Sequence, residues 1–262
     1  MTCIDELNLP ETIADEAQLE DLLSTPSQAL CEDLHAVDGD LMILGVGGKV
    51  GPTIAMMAKR AASAKRVIGV SRFSDPAKRE RLEAAGVECF ACDLLQRDAV
   101  QRLPDVPNII YMAGKKFGTA GSEPFTWAMN TVAPTYVGER FQRTRIVAFS
   151  TLCIYPFAAV NGSGHNESVP PTPLGEYPNS CVGRERIFQY FSLRNACPGR
   201  EPVFAHSEAA NAWHSDCREA ARLFGAPHVD LETMIRWNAD WLQRDMPRLN
   251  KPTHYEERGG VF

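Results

Sequence analysis

One short turn limits what this chain can fold into more than any other feature. Gly45-Val46-Gly47-Gly48-Lys49-Val50-Gly51 stands between the apolar run Leu41–Leu44 and a helical stretch from Thr53 to Ala64. Read as G-x-x-G-x-x-G, its glycines are 45, 48 and 51. A strand-to-helix turn needs a residue free to take positive φ, and bare backbone where a pyrophosphate has to come close. The last glycine lets the helix pack near the sheet, and the helix amino terminus offers unpaired N–H groups to phosphate. The loop therefore predicts a dinucleotide held at Gly45, Gly48, Lys49, Val50 and Gly51. The plainer alternative is a tight turn with no ligand. A nucleoside-triphosphate loop is disfavoured, because Val50 rather than Ser or Thr follows Lys49.

The same strand-helix unit recurs. Strand-like runs at Arg66–Val70, Val87–Ala91, Asn108–Met112 and Arg145–Phe149 alternate with helical stretches at Asp75–Ala85, Arg97–Leu103 and Phe125–Phe141. Such repeats, with right-handed crossovers, predict an α/β fold: a doubly wound parallel sheet in three αβα layers. Before it, residues 11–36 read as one or two short helices broken at Pro26. After it, residues 155–176 read as a long Pro/Gly/Ser-rich loop, followed by helices at Pro178–Leu193, Ala209–Phe224 and Leu231–Gln243. The expected division is an N-terminal helical extension (1–37), a dinucleotide-binding domain (38–200) and a small helical C-terminal region packed on it (201–262).

Composition narrows the function. Lys and Arg number 27 against 33 Asp and Glu, a net charge of −6, which argues against a nucleic-acid partner. The apolar runs fall far short of the ~20 residues that span a bilayer, so no membrane partner is expected. The first residues are acidic and carry no signal pattern, which favours a cytoplasmic protein. Cys89 and Cys92 form a C-x-x-C pair with no second pair or histidine nearby, so they read as small buried side chains and no metal site is expected. About 20 residues past the last glycine, where a ribose-reading carboxylate would stand, the chain has Ser71-Arg72. An arginine there favours a 2′-phosphate, hence NADP over NAD.

From about residue 40 to 194 the chain resembles the extended short-chain dehydrogenase/reductase family, in its NAD-dependent epimerase/dehydratase branch. Six blocks match in order: the glycine loop, Cys92-Asp93-Leu94, Tyr111-Met112-Ala113-Gly114, Asn130-Thr131-Val132-Ala133-Pro134, Phe149-Ser150-Thr151-Leu152-Cys153-Ile154-Tyr155, and Tyr177-Pro178-Asn179-Ser180-Cys181 with Glu185 beyond. The resemblance implies the Rossmann architecture. It implies that Asp93, Leu94, Ala113 and Gly114 line the cofactor beside the loop, with Ser71 and Arg72 placed there by their spacing. It also implies Tyr177 as acid/base, Thr151 as its hydroxyl partner on the substrate oxygen, and Asn130 in support of the proton path. The substrate it implies is a sugar-like secondary alcohol, including nucleotide sugars. A homodimer follows by the same analogy.

The chain departs from the family pattern at Cys181, where a lysine is expected four residues after the tyrosine. A neutral thiol does not stabilise a tyrosinate as a cation does. Arg184, two helical turns beyond Tyr177, and Lys115 or Lys116 are the candidate replacements, although a solvent-facing charge is the simpler reading of Arg184. A nucleophilic role for Cys181 is a lesser possibility. The region after the helix is short: only Pro202-Val203-Phe204 suggests a further strand, and Lys251–Arg258 resembles the tail of one family branch. The resemblance thus implies a missing internal segment in the substrate region. A cofactor-binding sensor or scaffold without catalysis is the alternative expectation.

Overall fold

The computed structural model describes residues 3–4, 8–158, 164–194 and 216–248. In chain order it has α1 (Glu16–Leu23), α2 (Gln28–Ala36), β1 (Leu41–Leu44), α3 (Gly51–Ala61), β2 (Val67–Ser71), α4 (Pro76–Ala84), β3 (Glu88–Ala91), α5 (Arg97–Gln101) and β4 (Asn108–Tyr111). There follow α6 (Glu123–Trp127), α7 (Ala133–Arg140), β5 (Arg145–Ala148), α8 (Glu176–Arg194), α9 (Arg218–Phe224) and α10 (Leu231–Gln243).

The five strands form one parallel sheet in the order β3-β2-β1-β4-β5. Central β1 is buried on both faces, as its unbroken apolar sequence requires. Alternation along the strand splits the core in two. Met42 and Leu44 point with Ile68, Ile109 and Tyr111 towards Val100 near the end of α5 and Val137 of α7. Leu41 and Ile43 point the other way, onto Ala55 and Met56 of α3 and Leu82 of α4. Each large aliphatic side chain so buried contributes about 2 kcal/mol of transfer free energy. The chain direction around the sheet reverses between β1 and β4, paired as Leu44 with Tyr111, and this opens a crevice at their carboxyl ends.

The N-terminal helices form as expected, separated at Pro26 and each capped, by Asp15 onto Gln18 N and by Ser27 onto Leu30 N. They lie against α3 and α4, with ion pairs Arg60–Asp21 at 2.8 Å and Arg81–Glu20 at 3.1 Å. The C-terminal helix α10 closes on this extension. Trp237 Nε1 donates to Pro10 O at 3.0 Å and Arg244 Nη1 to Ala14 O at 3.0 Å.

Two expectations change. The single helix over Phe125–Phe141 is a helix, a wide π turn at Ala128–Val132, and a second helix. Pro134 explains the turn: it has no N–H for the Asn130 carbonyl and its ring crowds that oxygen, so Ala133 N bonds back to Ala128 O instead. Helix α8 begins at Glu176, which brings Tyr177 inside its first turn rather than ahead of it. The expected strand at 202–204, residues 209–215 of the next helix, and the 251–258 tail lie outside the described residues.

Candidate active site

At the carboxyl end of β1, the glycine loop takes the conformation its spacing requires. Gly45 has φ 95°, and a Cβ there would lie 2.6 Å from Ala113 N, so the loop touches the end of β4 directly. At Gly51 a Cβ would lie 2.4 Å from Val46 O, so the start of α3 folds back on its own turn. Gly48 differs: a Cβ would meet only Gly45 O, at 3.5 Å, an ordinary contact. Packing within the chain therefore demands glycine at 45 and 51 and leaves open space at 48. The first turn of α3 has no capping side chain and no acidic residue. Unpaired N–H groups beside open backbone suit a diphosphate.

Ser71 stands at the end of β2 against Gly47, where a Cβ would lie 2.3 Å from its Oγ. Lys78 of α4 donates to Gly47 O at 3.4 Å, and Lys49 lies over the Phe117 ring at 5.3 Å. Arg72 is exposed next to Ser71. Asp93 uses its carboxylate to accept Leu95 N at 3.0 Å, and Leu94 is buried in the core between the sheet, α5 and α7.

Beyond the end of β4, the π turn and α8 bring four separated blocks together. Asn130 is fully buried; its Oδ1 accepts Lys115 N at 3.0 Å, and its Nδ2 donates to Lys115 O at 3.1 Å and to Ser180 Oγ at 2.8 Å. Ser180 Oγ donates in turn to Tyr177 O at 2.7 Å. This chain of bonds fixes the turn after β4 to the start of α8. The Tyr177 phenol is hydrogen-bonded to the Thr151 side chain and to the Cys181 thiol. Thr151 also accepts Cys153 N at 3.3 Å. Thr151, Tyr177, Cys181 and Asn130 thus form one cluster, with Ala113 and Gly114 at its edge.

Electrostatics set the protonation of this cluster. Burial pushes the Tyr177 phenol well above its ordinary range, the Cys181 thiol adds to the shift, and Arg184 and the Thr151 hydrogen bond oppose it. Burial also raises the Cys181 thiol, so it stays protonated and is a poor nucleophile. The Cys89 thiol is pushed up to about 11 and the Cys92 thiol is also raised, both by burial. Among the described residues no group of three or more His, Cys, Asp or Glu side chains is placed to hold a metal ion.

Arg184 corrects the simpler reading of it as a surface charge. It is 6% exposed, and its guanidinium lies against the end of β4, with Nη1 donating to Ala113 O at 3.4 Å. A Cβ on Gly114 would lie 2.8 Å from Arg184 Nη1 and 2.8 Å from Asn130 Oδ1, so glycine at 114 is what admits the arginine. Its position seven residues after Tyr177 was the one signal in the sequence. Lys78 had no such signal, since only the sheet brings it over the loop. The Ser150 hydroxyl donates to Glu185, which anchors the turn after β5 to α8. Two cavities meet here: one of about 160 Å³ beside Gly114, Lys116 and Tyr177, and one of about 520 Å³ beside Ala148, Tyr155 and Val169. Ser150 and Arg184 line both.

A glycine turn at the switch point of a parallel sheet, with open backbone at the start of its helix, defines a Rossmann-type fold. No family model matches the chain, and no curated protein matches it in sequence. Solved structures do match in fold. The UDP-glucuronic acid 4-epimerase of Bacillus cereus, in complex with UDP-glucuronic acid and NAD, superposes with TM-score 0.52 at 18% identity over 61% of this chain and 54% of that one. The UDP-glucose 4-epimerase of Thermus thermophilus, complexed with NAD, gives 0.52 at 18% over 60% and 51%. The UDP-Glc/GlcNAc 4-epimerase of Campylobacter jejuni gives 0.53 at 19% over 60% and 50%. The chain spans about half the length of each of these structures.

Proposed function

We propose that the chain is an NAD(P)-dependent oxidoreductase of the epimerase/dehydratase type, acting at a secondary alcohol or carbonyl of a sugar-like substrate, with nucleotide sugars first among them. The observation that carries this reading is that the glycine loop and the Tyr177 cluster pack on two successive residues after β4: Gly45 approaches Ala113, and Gly114 lies against Arg184 and Asn130 and lines the cavity beside Tyr177. The solved structures of the same fold hold NAD and UDP-sugars, which supports the substrate class. Ser71, Arg72 and Lys78 favour the 2′-phosphate of NADP. A homodimer is part of the same proposal.

The residues present fit such a cofactor. Gly45, Gly48 and Gly51 and the start of α3 would hold its diphosphate, and Ala113 and Gly114 its nicotinamide end. When bound, the cofactor accepts or supplies the hydride. Thr151 holds the reacting oxygen by a hydrogen bond. In reduction, Tyr177 gives its phenolic proton to that oxygen as the carbon gains the hydride. In oxidation, a phenolate takes the proton as the hydride leaves. Burial raises the Tyr177 phenol, so the protonated form that donates in reduction is the favoured one.

A sensor or scaffold without turnover is the second reading. It is favoured by the neutral thiol at residue 181 and the high phenol pKa. Titration with NADH and NADPH, followed by a turnover screen over UDP-sugars, tests both. The oxidoreductase reading expects dinucleotide binding and a turnover that Tyr177→Phe lowers about a thousandfold with the dinucleotide Kd unchanged. Binding without turnover, indifferent to Tyr177→Phe, supports the sensor. Absence of any dinucleotide binding overturns both.

A further inference from the structure

Among the described residues, Arg184 is a buried cation with no carboxylate in ion-pair contact. Among the described residues its one hydrogen bond is to the Ala113 carbonyl, and its Nε has no partner. The Tyr111 hydroxyl, also buried, has none either. A guanidinium this deep is costly unless something pairs with it. Beside Asn130 and Lys115, charged and titratable groups approach it from several elements. They are Tyr111 on β4, Lys116 in the turn after it, Cys153 after β5, Tyr177 and Cys181 on the same helix, and Glu185, which is engaged by Ser150. Neither phenol nor the Cys181 thiol carries negative charge at neutral pH, since burial raises Tyr111, Tyr177 and Cys181 alike.

Helix geometry explains how the arginine gets there. Tyr177, Cys181 and Arg184 follow one another at four and three residues, which places them on one face of α8. Side chains on a helix lean towards its amino terminus, so a long side chain one turn later covers the spot above an earlier, shorter one. Cys181 is fully buried and small, and leaves that spot to the guanidinium. We propose that Arg184 is the cation of this site, its guanidinium reaching back over Cys181 to where a longer side chain at 181 would put a charge, and facing both Tyr177 and the nicotinamide end of the cofactor. It favours the phenolate, and its free donors hold the ribose hydroxyls. This rests on the oxidoreductase reading.

The test exchanges the two positions. NADH and NADPH affinities are measured by fluorescence titration for the full chain, for Arg184→Gln, for Arg184→Met and for Arg184→Gln combined with Cys181→Lys. Melting curves confirm folding. Arg184→Gln is expected to weaken binding about tenfold, and Cys181→Lys in the same chain to recover it to within about threefold. Where the screen has found a turning-over sugar, Arg184→Gln also moves the rising limb of the oxidative pH profile up by about one unit, and the double variant moves it back. A folded Arg184→Gln that binds as tightly as the original chain, or a loss that Cys181→Lys does not recover, overturns the proposal while leaving the oxidoreductase reading in place. Should Arg184→Gln fail to fold, Arg184→Met, which keeps most of the length and removes the charge, with and without Cys181→Lys separates the same two outcomes. A chain that binds no dinucleotide at all overturns both.

Discussion

The loop after β1 and the first turns of α8 both pack on the segment that follows β4, yet they are built on different terms. The loop works through backbone: positive φ at Gly45, close approach to Ala113, and bare N–H groups at the start of α3. The α8 side works through side chains from four distant segments, held by Asn130 and Ser180. Backbone devices depend on residues next to one another in sequence. Side-chain chemistry depends on neighbours that folding alone supplies, and on the proposal above it is such a neighbour, Arg184, that offsets cysteine at 181.

The largest effect separates the two sides through the fold. Gly45→Ala forces a side chain into positive φ and against the β4 backbone, which should cost about 3 kcal/mol in unfolding free energy, read from denaturant melts. A loss well under 1 kcal/mol would show that the loop does not depend on that contact. The next effect belongs to α8. Tyr177 is protonated across the accessible range, so substrate oxidation, which needs phenolate, should rise about tenfold per unit from about pH 6 to about pH 8, while reduction stays flat. A plateau in oxidation near neutrality would mean a much lower phenol pKa in the working complex.

Gly48→Ala then tests binding apart from folding. Because the position is open, stability should change by less than about 1 kcal/mol, whereas dinucleotide affinity should fall about tenfold, or ~1.4 kcal/mol. Unchanged affinity in a titration would put the diphosphate elsewhere. The smallest effect is selectivity. Lys78→Ala should weaken NADPH about fivefold, roughly 1 kcal/mol, with little effect on NADH. Equal losses for both cofactors would remove Lys78 from 2′-phosphate recognition.

Much of the fold was legible because its signals are local. Four-residue apolar runs, Pro26, and capping residues such as Asp15 and Ser27 act within a turn or two of where they stand. The break in the Phe125–Phe141 helix was legible in principle, since Pro134 carries its cause, but that the π turn buries Asn130 against Lys115 and Ser180 was not. At the site, Thr151 and Tyr177 were legible as a pattern. Arg184 was visible only as a spacing, and a charged residue at that spacing faces water as readily as protein.

From the sequence alone came the alternation of strands and helices, the glycine turn and the candidate hydroxyl, phenol and thiol, because each is specified by residues close along the chain. Only the tertiary structure decided which side chains share a cavity. It buried Arg184 against Ala113 and Gly114, and it set Lys78 over the loop. It also tied α10 to the N-terminal extension and made the Tyr177 phenol hold its proton tightly by desolvation. Those outcomes depend on distance and dielectric, which are properties of the packed molecule and are not carried by spacing along the chain.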